Sequence, residues 1–183
     1  MIYYHYSDKK TKEQWETMNN IICINTGGTF NKYYNPSNGL LEVDKTSRAI
    51  QDITKKWLCE IDVINIIGKD SLEFNDNDRI LLLETIKSQS SFAKIIVIHG
   101  TDTMHLSAEV LAKAALPQTI VFTGAMVPFS IDPIEAAANF ASAAGYVSSL
   151  ENPGVYIAMN GCFGNYKNVI KDRINNKFIY NIN

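Results

Sequence analysis

Ile21-Ile22-Cys23-Ile24-Asn25-Thr26-Gly27-Gly28-Thr29-Phe30-Asn31 is the stretch that decides the fold. An apolar run of strand length ends abruptly in a turn made of Asn, Thr and two glycines. Glycines let the backbone turn sharply and approach a ligand closely, with peptide N–H groups free to point at it. The threonines place hydroxyls at the mouth of the turn. In an open α/β sheet, ligands bind at the carboxyl ends of the strands, where this turn lies. A second segment copies the design: residues 94–99 form another apolar strand that ends in Gly100-Thr101-Asp102-Thr103. Two such strands predict one polar pocket built from two loops.

Outward from these turns, strand and helix signals alternate. Strands are expected at 21–25, 61–67, 94–99, 118–122 and 155–159. Helices are expected at 46–58, where Ile50, Ile53 and Trp57 share a face, and at 77–87, where Ile80, Leu83 and Ile86 do. Two more are expected at 103–115 and from Asp132-Pro133 to about residue 147, the latter with Asp as cap and Pro in the first helical position. Asp76 is the expected cap of the second helix. Residues 29–39, rich in Asn, Tyr, Pro, Ser and Gly, read as a loop long enough to cover the glycine turn. In the Asn- and Lys-rich tail, residues 169–171 and 178–182 suit a short hairpin around Asn175-Asn176. The alternating order argues for an α/β domain with a doubly wound, mostly parallel sheet and helices on both faces. Residues 1–20 show no clean period and are expected to be an extension before a domain spanning 21–183, with Met18 as an alternative translation start.

Composition narrows the function. With 183 residues the chain suits one domain, and a net charge of −2 gives no basic footprint for nucleic acid. No apolar run reaches the ~18 residues of a membrane span, and residues 1–6 do not form a signal peptide. The three cysteines, Cys23, Cys59 and Cys162, fit neither a zinc site nor a disulfide framework. Cys23 reads as a small buried hydrophobe, and Cys162 has no visible base partner that would make it a catalytic thiol. Reduced cysteines without an export signal point to the cytoplasm.

Chemistry concentrates in the strand-end loops: Thr26 and Thr29, Asp70-Ser71-Leu72-Glu73, Thr101-Asp102 and Thr123-Gly124. A hydroxyl nucleophile needs a base, and Thr101 with Asp102 and a lysine from elsewhere would form a proton relay. Such a lysine acts as a base only where burial or nearby positive charge favours its neutral form. Backbone N–H groups around Gly28 or Gly100 would stabilise an oxyanion. Gly-Gly-Thr is neither the dinucleotide fingerprint nor a P-loop, which disfavours NAD and ATP. His99 is more simply a hydrogen-bonded structural residue than a ligand, and His5 and His105 add no metal spacing.

Four strings in this order resemble the N-terminal domain of bacterial-type L-asparaginases. They are Thr26-Gly27-Gly28-Thr29-Phe30, Asp70-Ser71-Leu72-Glu73-Phe74, His99-Gly100-Thr101-Asp102-Thr103-Met104 and Thr123-Gly124-Ala125-Met126-Val127-Pro128. Asn139 and Met159-Asn160-Gly161 are also similar, so the likeness runs from residue 21 to at least 171. The resemblance implies a flavodoxin-like three-layer domain and hydrolysis of the asparagine side-chain amide to aspartate and ammonia, without metal or organic cofactor. It implies Thr29 as the nucleophile that forms an acyl-enzyme, and Thr101, Asp102 and Lys171 as a second catalytic cluster, with Lys167 the weaker lysine. Ser71 would hold the substrate's α-carboxylate and Asp102 its α-amino group, with Gly28 and Gly100 lining the pocket. Glu73 occupies an acidic position where the family often has Asp. Tyr34, or alternatively Tyr33, would be the lid tyrosine that abuts the nucleophile.

The family's usual chain is nearly twice this length, so this one is expected to be a short single-domain member without the smaller C-terminal domain. A cytoplasmic amidohydrolase for L-asparagine is therefore expected, forming a homodimer or tetramer that walls off the site. The alternatives are a catalytically weak amino-acid-binding or interaction protein built on the same domain, and an amidohydrolase for another amide such as glutamine, a D-amino acid or an isoaspartyl-type peptide.

Overall fold

The computed structural model describes residues 21–57 and 61–181. The extension at 1–20, the question of Met1 against Met18, and the end of the first helix at residue 58 lie outside these residues.

Strand β1 (Ile21–Gly27) is central. It pairs in parallel with β4 (Asp62–Lys69) on one side and β5 (Lys94–Ile98) on the other. Beyond β5 follow β6 (Thr119–Thr123) and β7 (Gly154–Met159), also parallel, giving the order β4-β1-β5-β6-β7. The sheet is thus mostly parallel and doubly wound, as the alternation of elements requires. One strand of this sheet was not expected: β8 (Cys162–Asn165) turns back and pairs antiparallel with β7, forming that edge. The reversal is made at Asn160-Gly161, both with positive φ (49° and 80°).

Side chains alternate across a strand, so a run buried on both faces feeds two cores. Ile96 and Ile98 of β5 pack with Ile21, Cys23, Ile50, Ile53 and Phe140 on one face. Ile95 and Val97 pack with Ile24, Leu82, Ile86, Met104, Leu111 and Phe122 on the other. Helices α1 (Arg48–Trp57) and α4 (Pro133–Ser149) cover the first core; α2 (Asp76–Lys87) and α3 (Met104–Lys113) cover the second. Among the described residues no helix is long and apolar enough to cross a membrane.

Local chemistry sets the helix starts. Asp132 accepts from the Ile134 amide at 3.0 Å, with Pro133 in the first turn, as its sequence implies. For α2 the cap is Asn75, not Asp76. Asn75 Oδ1 accepts from Asp78 N at 3.2 Å while Asp78 Oδ2 accepts from Asn75 N at 3.0 Å. This reciprocal capping box also satisfies two amide donors that the helix itself leaves free. Helix α1 starts at Arg48 rather than at residue 46, because Asp44 accepts from the Thr46 and Arg48 amides at 3.0 and 2.9 Å.

Two hairpins stand apart from the main sheet. Residues 29–39, expected to be an irregular lid, instead begin with one short helical turn (Thr29–Asn31). They continue as β2 (Lys32–Asn35), which pairs with β3 (Leu40–Val43). Pro36 and Gly39, the latter at φ 73°, make the bend. The tail hairpin forms as expected, β9 (Val169–Asp172) against β10 (Lys177–Tyr180), and buries Val169 and Phe178 in the second core.

Candidate active site

The parallel strands end on one side of the sheet, so the loops after β1, β4 and β5 emerge together. They approach as closely as backbones can. A Cβ placed on Gly28 would lie 2.5 Å from Gly100 N, and one placed on Gly100 would lie 2.5 Å from both Cβ and Oγ of Ser71. Gly28 also has φ 76°, where an L side chain is strained. Glycine is therefore required twice, and the first requirement presses one threonine-bearing turn onto the other. Thr29 and Thr101 are each the next residue along from these touching glycines.

The β1 turn is held by asparagines. Asn25 Oδ1 accepts from Gly27 N at 3.1 Å and from Asn31 Nδ2 at 2.9 Å, and Asn31 Nδ2 also reaches Gly27 O at 2.9 Å. Thr26 turns inward and donates to Ile98 O at 2.8 Å, tying β1 to β5. Thr29 is the partly exposed threonine of the pair. The Gly28 amide donates to Lys69 O at 2.9 Å, so this N–H, considered as an oxyanion donor, is already committed to β4.

Around Thr101 the structure gathers charge. Lys171 Nζ, arriving from β9, donates to Thr101 Oγ1 at 2.8 Å and to Asp102 Oδ1 at 2.9 Å. The Lys171 side chain is 14% exposed and that of Asp102 29%. A lysine in contact with a threonine hydroxyl and a carboxylate can shuttle a proton between the hydroxyl and a leaving group. Arg173 joins the same carboxylate: its guanidinium reaches Asp102 Oδ1 at 3.1 Å and Asp102 O at 2.9 Å. Arg173 was not foreseen. It lies one residue past β9, in the hairpin turn, where strand periodicity gives no signal.

Ser71 is buried and, among the described residues, its Oγ has no partner, which leaves a polar atom available beside Gly100. The loop that carries Ser71 is secured by Thr103 Oγ1, which donates to Ser71 O at 2.7 Å. Asp70 pairs with Lys32 Nζ at 2.5 Å, joining the root of the β2–β3 hairpin to the same loop. Burial works against the charge of Asp70. The hydrogen bonds from Lys32 and the Leu72 amide, with the charges of Lys32 and Lys171, outweigh burial and hold the carboxyl below its ordinary range.

The remaining expected residues are not drawn to this centre. Glu73 is exposed and borders an open groove with Lys32, Lys45, Asp70 and Leu72. Tyr34 is 59% exposed, and a Cβ on Gly39 would meet its hydroxyl at 4.0 Å, so its ring points to the hairpin tip rather than to Thr29. Tyr33 donates its hydroxyl to Glu42 at 3.0 Å. Lys167, the weaker lysine candidate, is exposed, with its ammonium over the Tyr166 ring.

His99 is fully buried beneath the second turn. Its Nδ1 faces Gly100 O at 2.9 Å, and a carbonyl only accepts, so Nδ1 carries the proton. Nε2 then accepts from the Ser107 hydroxyl at 2.8 Å. Burial drives its pKa down to about 4, so it stays neutral at pH 7. Cys23, also buried, has its thiol pushed well up by burial. Among the described residues, no group of three or more His, Cys, Asp or Glu is placed to hold a metal ion.

A cavity of about 250 Å³ is bordered by Thr101, Asp102, His105, Lys171 and Arg173. A second of about 250 Å³ lies between the hairpin root and α1, against Phe30, Asn31, Arg48 and Phe129. Neither is lined by both Thr29 and Thr101.

Comparison with known proteins bears on the family and the fold. The family model for the asparaginase N-terminal domain matches residues 20–176. The thermostable L-asparaginase from Thermococcus kodakarensis superposes with a TM-score of 0.71 at 20% identity, over 87% of this chain and 50% of its own. A probable cytoplasmic L-asparaginase from Campylobacter jejuni superposes with a TM-score of 0.72 at 23% identity, over 88% and 53%. Among curated proteins, a glutamyl-tRNA(Gln) amidotransferase subunit from Methanococcus maripaludis is 28% identical over 158 residues, 79% of this chain and 35% of that protein. The chain thus spans about a third of the amidotransferase polypeptide and about half of the two asparaginases. With 157 consecutive residues described by one family model, the chain belongs to the asparaginase family through that family's N-terminal domain.

Proposed function

We propose that this protein is an amidohydrolase that cleaves the side-chain amide of L-asparagine, or of a close analogue, through an acyl-enzyme on Thr29. The contact of Lys171 with Thr101 and Asp102, on a turn packed against the one bearing Thr29, carries this reading. Thr29 Oγ attacks the amide carbon while its proton leaves through the Thr101–Lys171 relay. The C–N bond breaks, and the nitrogen departs with that proton as ammonia. Water then cleaves the ester, releases the carboxylate and restores the hydroxyl. Ser71 Oγ, buried and without a partner among the described residues, is a donor for the ligand's carboxylate. No step calls for a metal or organic cofactor.

Ammonia release from L-asparagine tests the proposal. Thr29→Ala and Lys171→Met should each lower kcat by about a hundredfold or more, the usual scale for loss of nucleophilic or acid–base assistance. An unchanged rate in Thr29→Ala, or no release by the native chain at saturating amide, overturns it. Binding of aspartate without turnover would instead favour an amino-acid-binding protein. A self-association that walls the open site belongs to the same proposal, and light scattering that shows a fully active monomer would remove it.

A further inference from the structure

Thr29 stands at the middle of an arch whose two feet are Gly27 and Asn31, and one side chain grips both feet. Asn25 Oδ1 accepts from Gly27 N at 3.1 Å and from Asn31 Nδ2 at 2.9 Å. Asn31 Nδ2 also donates to Gly27 O at 2.9 Å, which closes the base of the arch. On the far leg Phe30 is fully buried in the first core. The near leg is Gly27-Gly28, at φ 108° and 76°. Two glycines in series have wide backbone freedom, so the place of the Thr29 hydroxyl depends on what holds the feet.

Asn25 is itself held. Its Nδ2 donates to Ser47 Oγ at 3.0 Å and to Asn65 Oδ1 at 2.9 Å. A carboxamide offers two N–H donors and an oxygen with two lone pairs, and Asn25 uses all four. The donors face the residue before α1 and the edge strand β4, and the oxygen faces the arch. Turned over, the amide would set Nδ2 against the Gly27 N–H, so one orientation is allowed. Ser47 is fully buried at a left-handed φ of 62°, uncommon for a residue with a side chain, and its hydroxyl also meets Asn65 Oδ1. The arch is thereby tied through one amide to two elements of the scaffold.

We propose that Asn25 is a positioning residue, which sets the Thr29 hydroxyl for attack by clamping both feet of its arch. Asn25 is completely buried and so acts only through Thr29. The kinetic consequence rests on the amidohydrolase reading; the clamp does not, and is measurable at the backbone of Thr29.

The test compares native, Asn25→Ala, Asn25→Ser and Asn31→Ala chains. Ile86→Val, in the second core, is a variant that loses stability away from the arch. NMR gives the backbone order parameters of Gly28 and Thr29 and the hydrogen exchange of Gly27 N–H; ammonia release gives kcat and KM, and calorimetry gives the affinity for aspartate. In the native chain both order parameters should be about 0.85, and in Asn25→Ala they should fall towards about 0.6 as Gly27 N–H loses protection. Asn25→Ala should lower kcat by about ten- to a hundredfold, with KM and aspartate affinity kept within about twofold, since an ångström of misplacement at a reacting atom costs that much. Asn25→Ser keeps an acceptor for Gly27 N and should fall between; Asn31→Ala frees one foot and should also lose kcat rather than affinity. Ile86→Val should melt earlier with kcat and both order parameters unchanged. If Asn25→Ala does not fold, the other two arch variants decide. Order parameters or kcat unmoved in the arch variants, a loss that falls on KM, or an equal loss in Ile86→Val overturns the inference. Should the native chain release no ammonia, the amidohydrolase reading falls while the order parameters still decide this one; a Thr29 backbone already mobile in the native chain overturns it as well.

Discussion

At the scale of single residues, the site depends first on atoms that are missing. Gly28 and Gly100 bring three loops within contact because neither has a Cβ. Gly28→Ala adds a methyl 2.5 Å from Gly100 N, against backbone rather than a movable side chain, at a φ of 76°. The two turns must separate. Urea unfolding should show a loss of about 2–4 kcal/mol, on the scale of overpacking plus left-handed strain. Gly145, whose Cβ would meet nothing within 4 Å on α4, is the control, and Gly145→Ala should be neutral or stabilising. The sequence announced these turns because two apolar strands each end in Gly and Thr; one such turn alone would read as a plain turn. It did not announce Asn25 and Asn31. Their side chains close the β1 turn, but an Asn beside a Gly looks the same whether it faces solvent or braces a backbone.

At the scale of elements, strands buried on both faces and capped helices were readable because burial and capping leave compositional marks. Residues 29–39 were not. Their Asn, Pro, Ser and Gly signal turns, yet the β2–β3 pairing is stabilised by one half-buried acid. Glu42 accepts from Tyr33 at 3.0 Å, Asn35 at 3.0 Å and Asn38 at 2.6 Å. Such a cross-strand hub is invisible until the register is known. Strand β8 escaped notice because Cys162-Phe163-Gly164-Asn165 is short and contains a glycine. The cap of α2 was displaced by one residue because Asn and Asp stand side by side there, and only the reciprocal partner Asp78 separates them. Asn75→Ala should lower the unfolding free energy by about 1 kcal/mol and Asn75→Asp by much less, as thermal melts would show. The specific roles of Tyr34 and Glu73 were given by resemblance alone. Both stand exposed and away from the glycine contact, so their part in amide hydrolysis rests on substitution: Tyr34→Phe and Glu73→Gln are informative in the ammonia assay.

At the scale of the whole molecule, pH acts through the buried His99. It is neutral in the fold, and its pKa near 4 lies below the value of about 6.5 that it regains when unfolded. Between these values the unfolded chain binds a proton that the native chain refuses, so stability is complete above pH 6.5 and declines as the pH falls towards 4. From pH 7 to pH 4.5 the loss should be about 2–3 kcal/mol in urea titrations. Below that window Asp44, Asp70 and Asp78 take over. In each, burial opposes the charge but hydrogen bonds and nearby cations prevail, holding the carboxyl below its ordinary range; their stabilisation disappears as acid protonates them. A profile flat from pH 7 to 4.5 would contradict the buried neutral imidazole.

Thr101 and its lysine are separated by 70 positions in the chain, and the lysine rides on a two-stranded ribbon outside the six-stranded sheet. That ribbon is anchored to the body chiefly by Val169 and Phe178. Local opening of such a segment needs far less free energy than global unfolding. If the proposed amidohydrolase reading holds, ammonia release should vanish at denaturant concentrations where circular dichroism still reports an intact molecule, and a protease that clips near Ile174, which is 92% exposed, should abolish that release while sparing the scaffold.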